Sequence, residues 1–137
     1  MKLETWPEVL AERVNAARHV PFAWGSHDCV HFAVDTAAAI TGRAFGPLLP
    51  DYDDARSALR ALRASGHEDL QGAVTAHLGE PIPPNFAQRG DLVLVPSGID
   101  AWPAALAVCV GTHAVSPGED GLIFMPMHRA LAAWRVD

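Results

Sequence analysis

The sequence predicts an α+β domain in which helices come first and an antiparallel sheet follows. Three observations carry this. The first half holds segments with helical spacing and helix-stop glycines, the second half holds short apolar runs bounded by turn residues, and no strand–helix–strand alternation links them. The length of 137 residues is that of one domain, 1–137, and with half its residues apolar the chain can fill a core without covalent staples.

Thr5-Trp6-Pro7-Glu8 has the form of a helix start, with Thr5 as cap, proline in the first turn and Glu8 as the far side of a capping box. Trp6, Val9, Leu10, Val14 and Ala17 then recur at helical spacing, so residues 6–18 are expected to form an amphipathic helix ended by Pro21. A second helix opens at Asp28 or Cys29, with Asp28 as N-cap and Gly42 as the stop. It is apolar on nearly every side, Asp35 being the ionised exception, which marks it as the central, buried helix. After a Gly/Pro-rich loop over 43–52, a third helix is expected from Asp53 to Ser65, with Ala55, Leu59 and Leu62 on one face and Arg56, Arg60 and Arg63 on another. A fourth runs from Glu68 to Leu78. Pro81-Ile82-Pro83-Pro84 excludes both helix and central strand.

Strands are expected at Asp91–Val95, Ala105–Val110, His113–Ser116 and Leu122–Met125, the last two joined by a turn at Pro117–Gly121. The tail, Arg129–Val136, reads either as a helical turn or as a last edge strand.

Charge and composition exclude several functions. The formal charge is −6 and no basic cluster occurs, so neither nucleic acid nor an anionic membrane is an expected partner. No stretch approaches the length of a bilayer span, and membrane insertion is not expected. The N-terminus lacks the apolar core of a signal peptide, which points to a protein made in the cytoplasm. Two cysteines, Cys29 and Cys109, do not make a disulfide framework.

The chemistry concentrates at Cys29. A thiol attacks as thiolate, and the first turn of a helix favours negative charge through its unpaired N–H groups. Those amides are also suited to an oxyanion, and a buried helix fixes the attack geometry. Trp24, Gly25 and Asp28 are expected to support this turn: Trp24 by packing or lining a cleft, Gly25 by allowing close backbone approach, Asp28 by capping. Against this stands the plain reading of a buried cysteine as a small hydrophobe. His27, Asp28, Cys29 and His31 are dense in metal-ligating atoms, but successive positions point in different directions and no second ligand set exists in the sequence, so neither a metal nor another cofactor is expected.

Trp24-Gly25-x-x-Asp28-Cys29-x-x-Phe32 resembles the nucleophile motif of NlpC/P60-type, papain-like cysteine hydrolases, and Gly90-Asp91-Leu92-Val93-Leu94-Val95 resembles the Gly-Asp-Leu-Val strand that follows it there. More closely, the chain is similar to a small family encoded in phage and prophage tail-gene regions. That similarity is carried by Phe22-Ala23-Trp24-Gly25, Gly79-Glu80-Pro81-Ile82-Pro83-Pro84, Gly90-Asp91 and Ala133-Trp134-Arg135-Val136. The resemblance implies a papain-like fold, with the nucleophile helix packed on the C-terminal sheet. It also implies a place in the virion tail among other phage tail proteins and, if the domain is active, cleavage of peptidoglycan stem peptides by Cys29.

The chain departs from the motif at one point. The family's histidine falls at Ala105 here, and alanine accepts no proton. His113, where the next strand opens, and His27, two residues before the sulfur, are the candidate substitutes, while His31 lies about 200° around the helix from Cys29. Asp91 is expected to hold backbone at the strand entry. Two functions therefore remain open: a cell-wall hydrolase, or an inactive structural or assembly component of the tail tip.

Overall fold

In the computed structural model, which describes residues 1–99 and 102–137, helices α1 (Trp6–Ala17), α2 (Cys29–Thr41), α3 (Ala55–Ala64) and α4 (Leu70–Leu78) precede strands β1 (Leu92–Ile99), β2 (Trp102–Cys109), β3 (His113–Gly118), β4 (Gly121–Pro126) and β5 (Ala132–Trp134). The strands form one antiparallel sheet in the order β4-β3-β2-β1-β5. The α+β class is thus shown. No helix among the described residues is long and apolar enough to cross a membrane.

Local chemistry accounts for the helix ends. Asp28, Asp54 and Asp69 each accept a hydrogen bond from the backbone N–H three residues on, which satisfies one of the amides left unpaired at a helix start. Thr5 makes no side-chain cap, so the start of α1 rests on Pro7 and on packing. Its buried residues are Leu10, Val14 and Ala17, all on the expected face. On α3 Leu62 is buried and Leu59 packs against the core, as the expected face requires, and Ala58 and Ala61 are buried beside them, which widens that face.

Alternation along the strands splits the core. Leu92 pairs with Val108 and Leu94 with Leu106, and these side chains face the helices together with Val115 and Trp134. Val93 pairs with Ala107 and Val95 with Ala105, and these face the other side. That second face is covered at one end by Ile82, Ala87, Met127 and Ala130. Helix α2 lies against β2, with Phe32, Ala33, Ala37 and Ile40 almost wholly buried and Asp35 exposed. Burying each large apolar side chain of this set contributes about 2 kcal/mol.

Several boundaries differ from expectation. Strand β1 continues through Pro96 to Ile99, because beyond Leu94 it has lost its β5 neighbour and strand prolines are tolerated at such edges. The β3–β4 hairpin is tighter than expected, with Gly118 paired to Gly121 and a turn of Glu119 and Asp120. The tail resolves to an edge strand, whose Trp134 is buried and donates its indole N–H to the Thr75 hydroxyl at 3.2 Å.

Asp91 fastens the C-terminus to the sheet. Its carboxylate is fully buried and accepts from the Gln88 amide at 2.9 Å and the Val136 amide at 3.0 Å, while Arg135 Nε lies 3.2 Å away. Removing it would leave the buried Val136 amide, the part-buried Gln88 amide and a guanidinium without their acceptor. Asp91→Ala is expected to lower unfolding free energy by about 3–5 kcal/mol, read from a shifted urea midpoint.

Candidate functional site

The segment between α1 and α2 is wound tightly. Gly25 has φ +82°, and a side chain there would overlap the carbonyl oxygen of Tyr52, so only glycine fits this contact. The Gly25 amide donates to Asp28 Oδ2 at 2.9 Å, and Asp28 Oδ1 accepts the His31 amide at 2.8 Å. His31 Nδ1 lies 2.9 Å from the same Oδ1. A carboxylate can only accept, so Nδ1 carries the proton. Tyr52, whose hydroxyl is 3.3 Å from Nδ1, then has no lone pair to meet there, and its own proton serves Asp28. Burial and the Asp28 carboxylate push the Tyr52 phenol upward, which keeps it a donor.

Burial alone would raise the Asp28 carboxyl. The opposing bonds from the His31 amide, the Tyr52 hydroxyl, the His31 ring and the Gly25 amide outweigh it and hold the group below its ordinary 3.8.

This cage delivers Cys29 to a defined place. Its thiol is buried and lines a cavity of about 370 Å³ with Phe22, Trp24, Trp102, Ala105 and Ala107 among its walls. Trp24 meets Phe22 and Trp102 edge to face, with ring centroids 4.9 Å and 6.0 Å apart. Ala105, where the sequence led us to seek a histidine, shares the cavity with Cys29, so the two positions are indeed brought together.

The electrostatics of the sulfur are a contest. Burial raises its pKa, and the Asp28 charge raises it further. The Leu106 amide, the Trp102 indole N–H and the Val30 amide act the other way. Burial wins, and the thiol is pushed up to about 11. The helix N-terminus is present, as expected, but it is outweighed. At neutral pH the sulfur is a thiol.

No histidine is among the residues lining this cavity. His113 is exposed on β3, with Nδ1 2.9 Å from the Thr112 hydroxyl. Ala114, Ser116, Pro117 and Gly118 of β3 line the cavity, and His113, at the exposed start of the strand, does not. That placement removes the geometric basis for His113 as the base. His27 packs edge-on against Phe32, at 5.9 Å between centroids. Burial, then Arg13, lowers its pKa against a smaller upward effect of Asp28. Its Nε2 is buried without a hydrogen-bond partner. His31, the histidine that Asp28 orients, lines a separate depression with Val34, Asp35, Phe45 and Tyr52. An oriented imidazole and a buried sulfur thus exist on one helix turn, but they open into different spaces. Among the described residues, no group of three or more His, Cys, Asp or Glu side chains is placed to hold a metal ion.

Two residues of the site were not singled out from the sequence. Trp102 and Tyr52 lie far from the motif in the chain, and no local pattern marks them. The fold alone brings them to the start of α2.

The family model described as "Domain of unknown function (DUF6950)" matches residues 1–136, and the chain belongs to that family. No curated protein matches it.

Two outcomes follow from this geometry. In a Cys109→Ala background, Cys29 is expected to alkylate about 300-fold more slowly at pH 7 than a free cysteine with pKa near 8.5, because its thiolate fraction is smaller by that factor. The rate should climb about tenfold per pH unit until near the thiol's own pKa; iodoacetamide kinetics followed by mass spectrometry measure both. For Asp28 the sign is that of a depressed carboxyl. Its stabilising effect is complete above the unfolded-state pKa and is lost as pH falls through the folded-state value. Urea midpoints of the native chain should therefore fall on acidification below about pH 4, and Asp28→Asn should flatten that limb.

Proposed function

For this member of the DUF6950 family we propose an NlpC/P60-like, papain-like domain that has no hydrolytic activity and serves as a structural or assembly component of a phage tail tip. The observation that carries the loss of activity is the environment of Cys29. Its thiol is buried and shifted toward protonation, and the cavity it lines together with Ala105 has no imidazole among its described lining residues. Cysteine attack on an amide needs a thiolate, and a proton for the leaving amine, and a neighbouring histidine supplies both in such enzymes. Here neither service is at hand. The phage-tail context rests on the similarity of the 22–25, 79–84, 90–91 and 133–136 segments to tail-region proteins.

The buried polar cage around Asp28 supports the same reading. It holds the α2 start rigid whether or not the sulfur reacts, so the fold has a use for this turn that does not depend on catalysis.

Purified protein is expected to release no fragments from peptidoglycan sacculi, measured by chromatography of the soluble products. In the parent phage, Cys29→Ala should leave infectivity within about twofold, whereas deleting the gene should abolish complete tails in electron micrographs. Loss of infection by Cys29→Ala particles with intact tails would overturn the proposal in favour of the hydrolase.

A further inference from the structure

We infer that the Cys29 cavity is a binding site for a small organic ammonium: an apolar body that lies against the aromatic and alanine walls, with its cationic end at Glu119. The inference rests on the non-hydrolytic reading above, since it treats the cavity as a receptor for a ligand that is not cleaved.

Size and wall chemistry define the body. About 370 Å³ lies within the range of small-molecule sites. Phe22, Trp24 and Trp102 form one aromatic side, and Val95, Ala105 and Ala107 from β1 and β2 offer a smooth floor. Alanine at 105, 107 and 114 is what leaves the space. Larger side chains on this sheet face would fill it, as Met127 and Ile82 do at the sheet's other end.

Polar groups define the ligand's end. The Ser97 hydroxyl is already used, by the carbonyl oxygen of Trp102 and the amide of Ile99. The Trp102 indole N–H is withdrawn from the surface and has no hydrogen-bond partner among the described residues, so it is closed to a ligand's charged end. Glu119, in the β3–β4 turn, is the one carboxylate lining the cavity among the described residues. It is exposed, and its side chain has no ion-pair or hydrogen-bond partner among the described residues. No Lys or Arg side chain lines the cavity. Among the described lining residues the charge is therefore negative, on a chain whose net charge is −6. An anionic ligand is repelled there, and a cation is attracted.

Three probes of one shape test this: 3-phenylpropylamine, 3-phenylpropanol and 3-phenylpropionate. Trp24 and Trp102 in the walls report binding by fluorescence, and the Met125 methyl and the Val95 and Ile123 methyls report its place by NMR. The amine is expected to bind about fivefold more tightly than the carboxylate, with the alcohol between, the range of one exposed charge pair. Glu119→Gln should remove that spread while leaving the alcohol's affinity unchanged. Ala107→Phe should abolish binding of all three. Should that variant unfold, the Glu119→Gln comparison still decides. Equal affinities in the native protein, preference for the carboxylate, absence of binding at millimolar probe, or shifts away from the cavity methyls would each overturn the inference. Its failure is separable from that of the proposed function, which is judged by release from sacculi and by the Cys29→Ala phage.

Discussion

One buried carboxylate organises the functional end of this molecule. Asp28 is almost wholly withdrawn from water, and an ionised group there would be ruinous without partners. It has four: two backbone amides, an imidazole N–H and a phenol. These come from the turn before α2, the first turn of α2 and the loop before α3. Satisfying one charge therefore fixes three segments at once. The tight approach of Gly25 to Tyr52, the orientation of His31 and the position of Cys29 are consequences of that single requirement.

The same carboxylate bears on the sulfur next to it. Its charge opposes a thiolate at Cys29, in the same direction as burial. A helix N-terminus is often credited with activating a cysteine, and its amides do act here, together with the Leu106 amide from β2. They are too few for a site this dry. What separates a reactive cysteine from an inert one at a helix start is thus the second partner, a cation or imidazole that offsets desolvation. Position 105 is where the fold offers room for it, and alanine occupies that position.

The sequence carried much of the fold because its signals were local. The N-cap at Asp28, the stop at Gly42 and the apolar run between them depend on neighbours a few residues apart, and the structure has them where expected. The failures were of another kind. The passage of β1 through Pro96 and the tightness of the β3–β4 turn are set by what packs or pairs from elsewhere in the chain. The candidate site divides in the same way. Cys29 and Asp28 announced themselves through a capping pattern. Trp102 and Tyr52 did not, because an aromatic residue becomes a cavity wall or a proton donor only through contacts across dozens of residues. His113 opens β3 as expected, but it is exposed and outside the cavity that the following residues of the strand line, which only the folded chain shows.

Small side chains beside an open space have a physical cost. An unfilled hole in a core lowers stability in proportion to its volume, and a core free to relax would close it. Instead the sheet presents alanine three times over, at 105, 107 and 114, and a rigid aromatic row stands opposite. Around a thiol that does not ionise, such a lining keeps open a space that collapse would have removed. In the proposed reading, that space is what remains useful at a start of α2 whose sulfur does not ionise.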